Sequence, residues 1–342
     1  MNKLRVGIIG CGNIFPMHAV SAELSGYADV VAVCDVKEDR AKREAERHNC
    51  DYYLDYKQMI DEANLDVVHV CTPHYLHAPM VVYAAQAGKH VLTEKPMSIT
   101  VEDANRMIQV SEENGVTFGV IFQNRYNPGP QLLKSELESG KLGRVLGARC
   151  SVTWMRTDEY YSKSDWKGTW EKEGGGVLID QAIHTLDLMR WLINEEVDYI
   201  DAHIENRTHH LIDVEDIGEG VITFKSGVTA SFYAINYYSY DAQVEIELHC
   251  ENGIARMYGS KGTIQYNDGA VISRENDLSE SIDFGEGVKS YWGVSHSKQI
   301  KAYYESVINS SKPFIDGYDA LKTQKLVAGI YESGKTHTRV HV

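Results

Sequence analysis

The run Leu4 to Gly10, LRVGIIG, constrains the fold more than any other stretch of this chain. It is short, β-branched and apolar on both of its faces, so as a strand it must be covered from above and below, as in a parallel sheet layered by helices. It ends in Gly10-Cys11-Gly12, and a helical pattern follows over 18–24. Beyond it the pattern predicts a strand over 29–34, a charged helix over 38–49 and a helix over 56–63. A strand over 66–71, a helix over 77–87 and strands over 90–93 and 117–122 complete the alternation. This is the order of a doubly wound α/β domain.

A strand that ends in a glycine turn before a helix is where such domains take a dinucleotide. Gly10 permits the tight turn, and Gly12 lets a pyrophosphate approach the backbone at the helix start, with Asn13 and Ile14 beside it. The third glycine of that fingerprint is replaced by Phe15. Asp35 ends the second strand, twenty residues after Phe15, where an acid holds the adenosine ribose hydroxyls. A carboxylate there selects NAD and disfavours NADP, whose 2'-phosphate meets a like charge, although Lys37 softens the conflict. Two later strands end in Thr72-Pro73-His74, with His77 just beyond, and in Glu94-Lys95-Pro96. All these groups fall at carboxyl ends of strands, the edge where open α/β sheets bind ligands, and are candidate cofactor contacts.

The segment Gly174 to Leu192, GGGVLIDQAIHTLDLMRWL, is the second informative stretch. Its glycines predict a flexible, ligand-accessible start to an amphipathic helix. Asp180 and His184 stand one turn apart on that helix, so a carboxylate can orient an imidazole for proton transfer. The turn-rich residues after Phe122 place a domain boundary there, giving domains 1–122 and 123–342. The second domain is predicted as α+β with an open, mainly antiparallel sheet between 144 and 270, followed by helices over 296–308 and 318–331. Between Trp154 and Trp170 the chain is dense in aromatic and charged residues, a composition suited to a sugar ring. Arg125, Tyr126, Trp154, Arg156, Tyr161 and Trp166, with Asp180 and His184, are the candidate substrate contacts, and Arg156 or Lys167 the candidate partner of an acid group. Asn236, Tyr237, Tyr238, Trp292 and His296 are secondary candidates.

With 342 residues the chain is long enough for two cores. A formal charge of -15 argues against nucleic acid or an anionic membrane as a partner. No apolar stretch reaches the length of a membrane span, and the start lacks a signal segment, so the expected location is cytoplasmic. The six cysteines have no metal-ligand spacing and read as reduced packing residues; no metal site is expected.

Taken together, G-x-G, Thr72-Pro73, GKHVLTEKP at Gly88 to Pro96, and the glycine triplet followed by the D-x-x-x-H pair resemble the glucose-fructose oxidoreductase, inositol dehydrogenase and rhizopine-catabolism (Gfo/Idh/MocA) superfamily, over Leu4 to about Lys335. The resemblance implies an N-terminal Rossmann domain and an NAD-dependent oxidoreductase. Its substrate would be a secondary alcohol of a sugar, sugar acid, nucleotide-sugar or cyclitol, and its assembly a homodimer or homotetramer. It implies Lys95, Asp180 and His184 as the catalytic group and a cis bond before Pro96. W-K-G-T-W-E before the glycines resembles the branch acting on nucleotide-linked amino-sugar uronates. Two alternatives stay open: an NAD-recycling glycosidase acting by transient oxidation and elimination, and a dinucleotide-sensing binding protein.

Overall fold

Leu4 to Ile9 form β1, and its last four residues are buried, as a strand covered on both sides requires. The computed structural model describes residues 3–277, 279–285, 288 and 293–342. In chain order β1 is followed by α1 (Phe15–Leu24), β2 (Ala28–Cys34), α2 (Glu38–His48), β3 (Asp51–Tyr53), α3 (Tyr56–Glu62), β4 (Val67–Val70), α4 (His74–Gln86), β5 (His90–Thr93), α5 (Val101–Glu113) and β6 (Phe118–Val120). Next come α6 (Pro128–Glu138), β7 (Val145–Thr153), α7 (Asp158–Ser162), a π-helical turn (Leu178–Ala182) running into α8 (Ile183–Ile193), β8 (Val197–Glu205), β9 (Ile217–Phe224) and β10 (Thr229–Ile235). The chain closes with β11 (Glu245–Cys250), β12 (Gly253–Tyr258), β13 (Lys261–Tyr266), β14 (Val271–Arg274), α9 (Gly293–Ile308), α10 (Gly317–Thr336) and β15 (Val340–His341).

The chain divides into two units, Met1–Gln123 with Leu278–Leu321, and Asn124–Asp277 with Lys322–Val342. The first holds a parallel sheet of order β3-β2-β1-β4-β5-β6 among the described residues, the doubly wound arrangement expected of the Rossmann class. The second holds a mixed sheet of order β14-β13-β12-β11-β7-β10-β9-β8-β15, antiparallel except where β10 lies parallel to β7.

One boundary differs from the sequence reading, which gave everything from 123 on to the second domain. Helix α9 belongs to the first unit because Ile300, Tyr303, Tyr304 and Val307 complete the core built on Val6, Ile8 and Phe15. Gln299 also donates to the Val120 carbonyl at 2.8 Å and accepts the Phe122 N–H at 3.1 Å, taking the place of a strand beside β6. Phe15, where the fingerprint has glycine, is fully buried, and its ring meets His48 edge-on at 5.6 Å. Trp292 lies outside the described residues.

Candidate active site

In the first unit the strand register sets Ile9, Val70 and Thr93 level, so Gly10, Cys71 and Glu94 open adjacent loops at one edge. The chain leaves β1 toward β2 on one side and finds β4 on the other, so this edge is the topological switch point. Gly10 has φ +98°, and a Cβ there would lie 2.6 Å from the Cys71 carbonyl oxygen. Gly12 is the opposite case, since a Cβ would meet nothing within 4 Å and the backbone faces open space. Helix α1 begins after Ile14 without a side-chain cap, its Phe15 and Met17 N–H groups donating to the Gly12 and Ile14 carbonyls at 3.2 and 3.1 Å, and Asn13 is exposed beside it. Asp35 Oδ2 accepts the Cys11 N–H at 2.9 Å and Oδ1 the Lys37 N–H at 2.8 Å, so its carboxylate is fixed at the glycine turn. An open glycine face and an anchored acid fit the pyrophosphate and adenosine ribose of a dinucleotide.

Along the same edge Pro73 precedes α4, and Thr72 Oγ1 lies 3.4 Å from Met80 Sδ. His74 and His77 occupy the first turn and are buried. His77 ties two loops together, with Nδ1 at 2.7 Å from the Pro96 carbonyl and Nε2 at 2.8 Å from that of Thr72. The Lys95-Pro96 peptide is cis. Lys95 is half-buried, whereas Glu94 turns inward, so that Glu94 and His77 support the loop from within.

In the second unit the motif helix is held at its start by two residues that sequence reasoning did not single out. The buried Glu215 carboxylate accepts the N–H groups of Gly176 at 2.8 Å and Leu178 at 3.0 Å, and its backbone carbonyl accepts that of Val177 at 3.2 Å. Tyr331 donates to Glu215 at 2.9 Å and accepts the Ile179 N–H at 3.2 Å. The orphan donors of a helix start are thereby satisfied inside the protein. A Cβ on Gly176 would fall 1.9 Å from the Glu215 carbonyl oxygen, and one on Gly175 would fall 2.0 Å from the Tyr331 hydroxyl. The glycines therefore admit Glu215 and Tyr331, and the ligand-accessible start expected from sequence is corrected to a buried one. The clue was faint: an acid between Val214 and Asp216 in a stretch leading into a strand.

Asp180 sits in the π-helical turn, a local widening often found at functional sites, and His184 follows on α8, half-buried. Asp180 Oδ2 is a hub that accepts the Tyr160 hydroxyl at 2.8 Å, Gln181 Nε2 at 2.6 Å and Lys167 Nζ. Lys167 also reaches Glu173 Oε1 at 3.3 Å, and its ammonium lies over the Trp166 and Tyr160 rings. Burial opposes the charge on Lys167, but Asp180, Tyr160 and Glu173 outweigh it and hold the ammonium above its usual range. Burial, then the Asp180 charge, raises the Glu173 carboxyl, while Lys167 and the Gly168 N–H oppose the rise. Burial, then Asp180, keeps the Tyr160 hydroxyl protonated.

Two substrate candidates are corrected. Arg125 is 1% exposed and grips Asp187 through Nε at 2.7 Å and Nη2 at 2.5 Å, which makes it an internal brace of α8. Tyr161 is buried against His209, and its hydroxyl accepts Asn236 Nδ2 at 2.7 Å, so it is a core residue. Trp154 donates from Nε1 to the Ala242 carbonyl at 3.1 Å, and Arg156 stacks between Trp154 and Tyr160 with Nη1 on Asp241 at 2.9 Å. Tyr126 ends a 3-10 turn, half-buried. Tyr237 is half-buried and Tyr238 exposed just after β10. Among the described residues no cluster of three or more His, Cys, Asp or Glu is arranged to hold a metal, and no helix is long and apolar enough to cross a membrane.

The fold and the dinucleotide edge define an NAD-binding oxidoreductase. Residues 4–122 match the model of an oxidoreductase family with an NAD-binding Rossmann fold, and residues 131–256 match that of the GFO/IDH/MocA C-terminal domain. The chain belongs to the Gfo/Idh/MocA family. Myo-inositol 2-dehydrogenase of Thermotoga maritima is 28% identical over 338 residues, covering 92% of each chain. The WlbA dehydrogenase from Bordetella pertussis, solved with NADH and UDP-GlcNAcA, is 26% identical with a TM-score of 0.87, over 100% of this chain and 98% of that one. Levoglucosan dehydrogenase, solved with NADH, shares the fold at a TM-score of 0.89 and 21% identity, over 100% and 99% of the two chains.

Proposed function

We propose that this enzyme oxidises a secondary alcohol on an uncharged ring polyol, a sugar or cyclitol, with NAD as acceptor. In this reading the bound nicotinamide supplies the hydride acceptor. His184 takes the hydroxyl proton, Asp180 orients the imidazole and stabilises its charged form, and Lys95 steadies the alkoxide as the C–H bond breaks. The observation that carries the reading is Asp180 at the head of the motif helix, held by Lys167 and Tyr160, with His184 on the following turn. Preference for an uncharged substrate rests on Lys167 and Arg156, the two cations expected to grip an acid group. Both are paired internally, Lys167 with Asp180 and Glu173, Arg156 with Asp241. The likeness to Thermotoga myo-inositol 2-dehydrogenase favours the same class. A second reading, a nucleotide-linked sugar, is favoured by the likeness to WlbA solved with UDP-GlcNAcA. The relatives named above are dehydrogenases, and they give no support to the recycling glycosidase.

The test is a panel of cyclitols, free sugars, sugar acids and nucleotide sugars with NAD, followed by nicotinamide absorbance. Reduction with an uncharged polyol and none with uronates is expected; turnover confined to nucleotide-linked uronates would replace this reading with the second. Lys95→Met and His184→Asn should each lose about 100-fold or more in kcat while NAD binding persists, because those interactions belong to the transition state. Near wild-type turnover by His184→Asn would move the base elsewhere.

A further inference from the structure

Inside the first unit, beneath the Lys95 loop, lies a row of buried polar side chains. Glu94 Oε1 is 2.9 Å from His18 Nε2 on α1 and 3.5 Å from His296 Nε2 on α9, and Oε2 accepts the Lys95 peptide N–H at 3.2 Å. His18 Nδ1 is 2.9 Å from His69 Nδ1 on β4, and His69 Nε2 is 3.0 Å from the Tyr304 hydroxyl on α9. Glu94, His18, His69, His296 and Tyr304 are all buried.

The donor and acceptor inventory allows the row to run in one direction when Glu94 is ionised. A carboxylate only accepts, so His18 donates through Nε2; a neutral His18 then accepts at Nδ1, so His69 carries its proton on Nδ1. His69 Nε2 is left as an acceptor, and Tyr304 donates to it. Every polar atom of the row is satisfied by the sequence Tyr304 to His69 to His18 to Glu94. The reverse direction requires a proton on Glu94. Burial raises the Glu94 carboxyl, but hydrogen bonds from His18 and His296 outweigh it and hold it well below its usual range, and burial holds His18 and His69 below theirs. The titratable groups facing Glu94 are His18 from α1, His69 and Cys71 from β4 and its end, His77 from α4, and His296 from α9, with Lys95 on its own loop.

We propose that Glu94 is a positioning residue for Lys95, its carboxylate setting the direction of a buried hydrogen-bond chain that the Tyr304 hydroxyl closes. The inference rests on the reading that Lys95 acts in hydride transfer. By accepting the Lys95 peptide N–H, Glu94 fixes the backbone from which the lysine side chain departs. Tyr304 touches neither residue in this chain of contacts, yet its hydroxyl is the donor that satisfies His69 Nε2 once the Glu94 carboxylate has set the tautomers.

The test combines nitrogen-15 histidine NMR on the intact protein, with and without NAD, and kinetics of variants. In the wild type His18 is expected as the Nε2–H tautomer and His69 as Nδ1–H, neither gaining a second proton between about pH 6 and 8. A wild-type His18 protonated on Nδ1 alone would overturn the proposal even if no variant folds. Glu94→Gln should lower kcat about tenfold or more while KM and NAD affinity stay within about twofold. Tyr304→Phe should shift both histidine signals and lower kcat about threefold or more, with a changed pH profile. A merely structural role predicts a lower melting temperature with tautomers, pH profile and kcat unchanged, and that result also overturns it. If Lys95→Met keeps its turnover, the reading of Lys95 fails and takes this proposal with it. If Lys95→Met is inactive while Glu94→Gln and Tyr304→Phe turn over normally, the positioning proposal alone fails.

Discussion

Asp35 is expected to decide the choice of cofactor, through one carboxylate that the fold holds still. Its oxygens are taken up by the peptide N–H groups of Cys11 and Lys37, so it cannot swing away from a 2'-phosphate placed at the ribose. Lys37 meets Asp35 through its backbone, and the like-charge conflict with NADP persists. NAD should bind at least about tenfold more tightly than NADP, about 1.4 kcal/mol, and Asp35→Ser should narrow the gap; titration of both cofactors checks it, and equal affinities in the wild type would reject it. The place of Asp35 at the end of β2, beside the glycine turn, was legible in the sequence because it depends on spacing from a strand end. Arg125 was not. A cation beside a turn looks the same whether it meets a substrate or grips Asp187, and only tertiary packing brings in a carboxylate 62 residues away.

Among elements, the glycine turns show two different uses of the same residue. Gly12→Ala should leave the fold's stability within about 0.5 kcal/mol, because open space surrounds the added methyl group, while weakening NAD by crowding the expected pyrophosphate. Gly176→Ala should destabilise by about 3 kcal/mol or more, because its methyl group would overlap the Glu215 backbone. Denaturant melts beside NAD titrations separate the two, and a Gly176→Ala protein as stable as wild type would contradict the packing argument. Glu215 adds a pH dependence. Burial, though opposed by the Leu178 and Gly176 amides, pushes its carboxyl up to about 7. A raised carboxyl stabilises the fold fully below its unfolded pKa of about 4.5, and that contribution is lost as pH rises through about 7, a difference of about 3 kcal/mol. The stability advantage of wild type over Glu215→Gln should therefore shrink from pH 4.5 to 7.5 in urea melts; a constant difference would show that Glu215 is ionised throughout. The alternation of strands and helices and the Asp180, His184 pair were readable from periodicity. The π-helical turn, Glu215 and the Tyr304, His69, His18 row were not, since hydrogen bonds between distant buried groups leave no local pattern.

At the scale of the whole molecule, the outward face of the second sheet is the surface that calls for a partner. Thr229, Ser231 and Tyr233 of β10 are exposed, while Ala230, Phe232 and Ala234 are buried, as strand alternation requires. Ile235, which the same alternation would place on the exposed face, is buried at the strand end, so the face is less apolar than alternation alone would make it. Register places Val221, Ser231, Arg149, Glu247 and Arg256 in one row across five strands, and Glu219, Tyr233, Ser151, Glu245 and Tyr258 in the next. Val221, Tyr233 and Tyr258 are 40%, 38% and 55% exposed, and Val221 and Tyr233 line a hollow of about 490 Å³. Glu247 is held by Arg149 at 3.2 Å and by Arg256. Apolar side chains interleaved with paired charges of both signs suit a two-fold contact, in which the same face meets itself and each charge finds its opposite. The protein is therefore expected to be a dimer or tetramer associating through this sheet. Light scattering at micromolar concentration should return a multiple of the chain mass. Val221→Asp with Tyr233→Asp should give monomers that still bind NAD, because the substitutions set like charges face to face while the dinucleotide edge lies in the other unit. A wild-type monomer, or an oligomer indifferent to both substitutions, would place the contact elsewhere.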